Sequence, residues 1–222
     1  MDRYERWENA LMGMSFYYGI ISLDELHALL CEALKEEIVY GTFLRFIKCR
    51  AGLWGLGSFP KDRKKKEYFM SGTVESAELT LLLINDHPDL PYRRISYPDL
   101  SYVRAGYGID NRWPGVSELG LFLIEDMDQS YYRSTVMVHS ILTAIQNGAT
   151  LDKILGKLDF ITFFAEEEKR TAEEYVMAMY ERVPLYELKG HSRWEYQKMA
   201  EKQEWVHKKR QFTLLTGGRT ET

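Results

Sequence analysis

Cysteine is nearly absent from these 222 residues: only Cys31 and Cys49 occur. Two thiols cannot build a disulfide framework or a four-cysteine zinc site, and reduced thiols in a cytoplasmic protein are the simplest expectation. Proline is scarce, with 6 residues, and the 16 glycines show no period. Long disordered or fibrous segments are therefore not expected. No apolar run approaches the roughly 18 residues that a membrane helix needs. The opening "MDRYERWENA" is charged and lacks the apolar centre of a secretion signal. Catalytic signatures are missing too. There is no Gly-x-x-x-x-Gly-Lys-Ser/Thr loop, no Gly-x-Ser-x-Gly elbow and no His-Glu-x-x-His pair. With no nucleophile, base and orienting group to nominate, the expectation is a protein that is not an enzyme and needs no cofactor.

What is present suits a globular chain. Hydrophobic residues make up 45% and charged residues 28%, and the 15 Tyr, 10 Phe and 5 Trp promise a ring-rich core. The length allows one ample core or two small domains. The net charge of −4 offers no general attraction to nucleic acid, yet it is unevenly spread. Residues 41–70 hold Arg45, Lys48, Arg50, Lys61, Arg63, Lys64, Lys65 and Lys66 against Asp62 and Glu67. Eight cations against two carboxylates give this stretch +6, which leaves the remainder at −10. A local positive patch matters for binding even in an acidic chain.

Periodicity predicts helices over 3–18, from Ser22 to about 36, and over about 37–49, with Gly19 and Gly52 as breaks. Ser22 and Glu25 have capping-box spacing, in which each side chain satisfies a backbone amide of the first turn. "LWGLGSF" and "EYFMSG" then bracket a polar connection and read as a β-hairpin. Three helices followed by a hairpin is the order of a winged helix, whose third helix enters the major groove while the wing meets phosphate. Further helices follow in "VESAELTLLLIND", "SYPDLSYVRAGYG", "GVSELGLFLIEDM", "SYYRSTVMVHSILTAIQNG", a short one after Thr150 and "ITFFAEEEKRTAEEYVMAMYERV". Ser192 and Glu195 form a second capping box that opens a terminal helix. The expected fold is mainly α. A winged-helix-like unit with one hairpin (1–72) packs on a helical bundle (73–211), followed by a frayed tail (212–222).

The segment "VPLYELKGHSRWEY" resembles one found in uncharacterised bacterial helical proteins that often carry a SEC-C zinc motif. Pro184, Tyr186, Leu188, Lys189, Gly190, His191, Ser192 and Glu195 carry the likeness, and "YYGIISLDELHALL" is similar to their N-terminal halves. The resemblance implies a helical fold and specifies no activity. The chain has none of the clustered cysteines of the SEC-C site, so zinc binding is not carried over. Read physically, "LKGHSRWEY" is a helix entrance: Gly190 turns, Ser192 caps, Glu195 returns the bond and Trp194 docks.

The five histidines form no evident site. His27 and Cys31 are four apart and could be half of a metal site, but no second pair completes it. Glu204 and His207 match a Glu-x-x-His helical pair, as one copy only. His87 lies in a turn, His139 lies on an apolar helix, and "EEEKRTAEEY" reads as a solvated helix face. Three functions stay open. The first is a regulatory protein that occupies a macromolecular partner, protein or nucleic acid. The second is a DNA- or RNA-binding regulator that uses the hairpin 60–66 and the helix around 37–49. The third is an enzyme or metal protein whose groups meet only in three dimensions.

Overall fold

The computed structural model describes residues 2–54, 57–62, 65–163 and 165–202. The chain is mainly helical with a small antiparallel sheet. In order come α1 (Arg3–Tyr18), β1 (Ile20–Ser22), α2 (Leu23–Leu34), α3 (Tyr40–Trp54), β2 (Gly57–Ser58) and β3 (Tyr68–Ser71). There follow α4 (Ala77–Asn85), α5 (Tyr97–Ala105), α6 (Val116–Glu125), α7 (Tyr131–Gln146) and α8 (Leu151–Leu155). A 3-10 helix (Gly156–Phe160) and α9 (Glu166–Arg182) come next, and α10 occupies 193–202. No helix among the described residues is long and apolar enough to cross a membrane.

The sheet order is β1-β3-β2, both pairs antiparallel. Ile20, Ile21 and Ser22 pair with Met70, Phe69 and Tyr68, while Gly57 and Ser58 pair with Ser71 and Met70. A strand between the first two helices thus pairs with the far strand of the later hairpin. Three local expectations need correction. Ile20–Ser22 is a strand, which three residues after a helix-ending glycine cannot announce, because its partner lies about fifty residues on. The third helix runs through Gly52 to Trp54, so "LW" belongs to it and β2 is only two residues long. The long helix begins at Glu166 rather than at Ile161, where Glu168 turns back to accept from the Ala165 amide. Its first turn is acidic, which suits the positive helix start.

Capping chemistry sets several starts. The Ser22 hydroxyl oxygen accepts from the Glu25 amide and donates to the Glu25 carboxylate. Ser76, Ser96 and Ser130 accept from the amide three residues on. Each such cap is worth about 1 kcal/mol.

The core is centred on α1. Trp7, Ala10, Leu11, Met14, Tyr17 and Tyr18 are all buried, because α2, α5 and β3 cover the helix on different sides. One apolar cluster runs from Trp7 through Phe43, Leu100, Leu119 and Ile141 to Val183. A buried polar bridge joins the early and late parts of the chain. The Tyr186 hydroxyl meets Thr73 Oγ1 at 2.7 Å and donates to Gln146 Oε1 at 3.2 Å, and Gln146 Nε2 donates to the Phe16 carbonyl. Satisfied inside an apolar shell, these groups fix one relative position of α1 and α7.

Candidate nucleic-acid interface

The basic residues singled out in the sequence lie on α3 and the hairpin. Helix α3 buries Phe43 and Ile47 inward, and Phe46 stacks on Tyr4 at 5.6 Å and meets Trp7 edge-on at 5.4 Å. With that face committed, the opposite stripe of Gly41, Arg45, Lys48 and Cys49 is exposed at helical spacing.

The hairpin tip is organised by Asp62. Its two carboxylate oxygens accept from the Lys66 amide at 2.8 Å and from the Tyr68 hydroxyl at 3.2 Å. Lys65, in the left-handed conformation at φ 63°, donates its amide to the Asp62 carbonyl. The one carboxylate of the tip is thus engaged inside the turn. Lys61, Lys65 and Lys66 project from it exposed, with the Lys66 ammonium 5.8 Å from the Tyr68 ring.

Helix and hairpin are joined by a contact the sequence does not advertise. Lys48 Nζ reaches Glu67 Oε2 at 2.8 Å and lies 5.9 Å from the Phe59 ring, which itself contacts Phe69. The pair is part exposed and adds little stability. Its consequence is geometric: the outward stripe of α3 stands beside the hairpin stem. The structure thus sets the α3 stripe of Arg45 and Lys48 beside the hairpin whose tip carries Lys61, Lys65 and Lys66. The Arg50 guanidinium lies over the Phe46 ring at 5.9 Å. Arg63 and Lys64 fall outside the described residues. Glu67 and Phe59, the braces of this arrangement, were not singled out. Glu67 also pairs with Lys61 across the hairpin as an isolated bridge.

The other candidate groups serve structure. With the proton on Nε2, His27 donates to the Ile38 carbonyl at 2.6 Å and so closes the α2–α3 connection; Cys31 lies 3.6 Å from the same nitrogen. Asp110, almost fully buried, holds Arg112 through two oxygens at 2.9 and 2.7 Å. Hydrogen bonds from Ser96 and Arg112 outweigh partial burial and pull the Asp99 carboxyl below its usual range. Among the described residues no three His, Cys, Asp or Glu side chains group to hold a metal ion. Glu204 and His207 lie outside those residues.

The "LKGHSRWEY" segment caps as its spacing suggests. Ser192 Oγ accepts from the Glu195 amide, and Glu195 accepts from the Ser192 amide. It also clamps the turn at 87–93. Gly190 takes φ 85° with Tyr18 against it: a Cβ there would lie 2.9 Å from the ring. His191 is 8% exposed and donates from Nε2 to the Pro91 carbonyl at 3.1 Å.

Burial pushes the His191 imidazole below its ordinary value of 6.5, against partial opposition from the Pro91 hydrogen bond and Glu195, with nearby Arg93 adding to the depression. The unfolded chain therefore binds this proton more readily. Stability from the neutral ring is fully present above about pH 6.5 and is lost as pH falls through the lowered folded value. Urea midpoints measured from pH 7.5 down to about pH 5 should fall more steeply for wild type than for His191→Gln. Equal slopes would refute this assignment. No known protein family, curated protein or solved structure matches the chain.

Proposed function

We propose that this chain is a non-enzymatic, cytoplasmic regulatory protein that acts by binding a macromolecular partner, and that the partner is duplex nucleic acid. The contact between Lys48 and Glu67 carries the reading, because it sets the exposed stripe of α3 beside a lysine-rich hairpin. In a winged-helix arrangement these are the groove-entering and phosphate-touching parts. Arg45, Lys61, Lys65 and Lys66 are exposed here and available to neutralise phosphates. Affinity of this kind is dominated by counterion release, and therefore by salt.

The test is a titration of a short random-sequence DNA duplex at several salt concentrations. Wild type should bind at low salt, with log K falling linearly against log salt. The triple variant Arg45→Glu, Lys65→Glu, Lys66→Glu should bind on the order of tenfold more weakly or worse. Its slope should be shallower by about 0.9 for each phosphate that is no longer neutralised. Circular dichroism and thermal melting of the variant should match wild type, since all three side chains are exposed. No binding at low salt, or the same affinity and slope in a folded variant, would overturn the proposal.

A further inference from the structure

A half-open concavity of about 400 Å³ lies between α6, α7 and the 3-10 helix. Ligand cavities for small molecules commonly range from about 300 to 1,000 Å³. Its wall is mixed: Leu123, Met137, Phe160 and Ile161 supply apolar surface, Ser140 and Gln129 polar groups, and Arg133 and Lys157 are the charged members, with no carboxylate. That balance is unusual for a chain with 33 acidic and 29 basic residues.

Lys157 is half-buried, and its Nζ donates to Ser140 Oγ at 3.0 Å. Among the described residues, no carboxylate lies within ion-pair distance of Lys157 or Arg133. The Lys157 ammonium thus has a hydroxyl but no counter-charge beside it, and a bound anion would supply a charge-assisted partner.

The apolar part continues beyond this cavity. Ser134, Val136 and Ser140 also border a longer groove of about 770 Å³ along α6 and α7, lined by Leu121, Ile124 and Tyr131. Phe160 at the rim is 85% exposed, and Tyr131 and Tyr132 are 77% exposed. Large rings left bare around a concavity signal a contact surface rather than a packing remainder.

We propose that this cavity binds an amphipathic organic anion, with its carboxylate on Lys157 and Ser140 and its apolar body against Leu123 and Met137. The inference stands apart from the nucleic-acid reading and is read without any nucleic acid present. Isothermal titration calorimetry of the full chain with octanoate and with octan-1-ol tests it, since the two probes share a tail and differ in charge. Octanoate should bind at least about tenfold more tightly than the alcohol, because a charge-assisted hydrogen bond in a part-buried site is worth that much. In Lys157→Met, which keeps most of the stem, octanoate should weaken to the level of the alcohol while the alcohol is unchanged. Met137→Trp, which fills the cavity, should weaken both. Equal binding of the two probes by wild type, no octanoate binding at millimolar concentration, or an unaltered octanoate affinity in folded Lys157→Met would each overturn the proposal. The comparison of the two probes on wild type holds whether or not either variant folds.

Discussion

Gly13→Ala should destabilise the protein by about 3 kcal/mol, toward the upper end of what overpacking costs. In an exposed helix interior the same change stabilises by roughly 0.5–1 kcal/mol, because glycine has more backbone freedom to lose. Here the sign reverses. Gly13 sits in the middle of α1 where α5 crosses it, and a Cβ would lie 2.3 Å from the Leu100 carbonyl oxygen and 2.7 Å from its Cα. Those are backbone atoms, so no rotamer change relieves the clash. The two helices would have to separate, opening the layer that buries Met14, Leu100 and Val103 completely or nearly so. At this chain length each kcal/mol shifts Tm by about 2–4 °C, so a fall on the order of 10 °C is expected. Gly120→Ala in α6 is the internal control, since nothing lies within 4 Å of the Cβ added there. It should be neutral or slightly stabilising. A Gly13→Ala protein that unfolds at the wild-type urea midpoint would show that α1 and α5 do not approach this closely.

Lys189→Met should cost about 1–3 kcal/mol, although it replaces a charged residue with an apolar one of similar length, because the Leu90 carbonyl loses its donor while the His87 carbonyl keeps only the Leu90 amide. The Lys189 side chain is an internal clamp. The residue is 7% exposed, its Nζ donates to the His87 and Leu90 carbonyls at 2.8 Å each, and it lies 5.6 Å from the Tyr92 ring. Its own carbonyl accepts from the Arg93 amide. Burial pulls the ammonium below the usual lysine value, against the pull of Glu25 and Asp89, so removing the charge recovers some desolvation energy. The larger effect is on the Leu90 carbonyl, worth about 1–3 kcal/mol when left unsatisfied, since the His87 carbonyl still accepts from the Leu90 amide. Amide exchange should accelerate selectively across 87–93, beyond what the global fall in stability produces. A variant with wild-type Tm and unchanged exchange there would refute the clamp.

These two residues mark the limit of what sequence reasoning reaches. "LKGHSRWEY" reads as a capped helix entrance, and the Ser192–Glu195 reciprocity is as spacing predicts. That Lys189 and His191 reach back about a hundred residues to hold the carbonyls of Leu90 and Pro91 is invisible in the segment. Gly13 is a mild anomaly inside a helical pattern until Leu100 is placed against it. The basic stretch shows its charge in the sequence, but not that Glu67 takes Lys48 and draws helix and hairpin together. Arg133 and Lys157 draw no notice along the chain, because a shared cavity is made by α7 and the 3-10 helix meeting.

What the sequence determined alone is therefore local: the approximate helix positions, the serine caps at Ser22 and Ser192, the hairpin and the mainly helical class. Each depends on residues a few places apart, whose periodic burial and backbone hydrogen bonds do not wait for distant partners. The pairing of Ile20–Ser22 with β3, the α1–α5 crossing and the lysine clamp were decided only by tertiary structure. So was the meeting of two cations at one concavity. The physical reason is that burial and register are properties of two surfaces in contact, and which surfaces meet is settled by the free energy of the whole core rather than by any one segment.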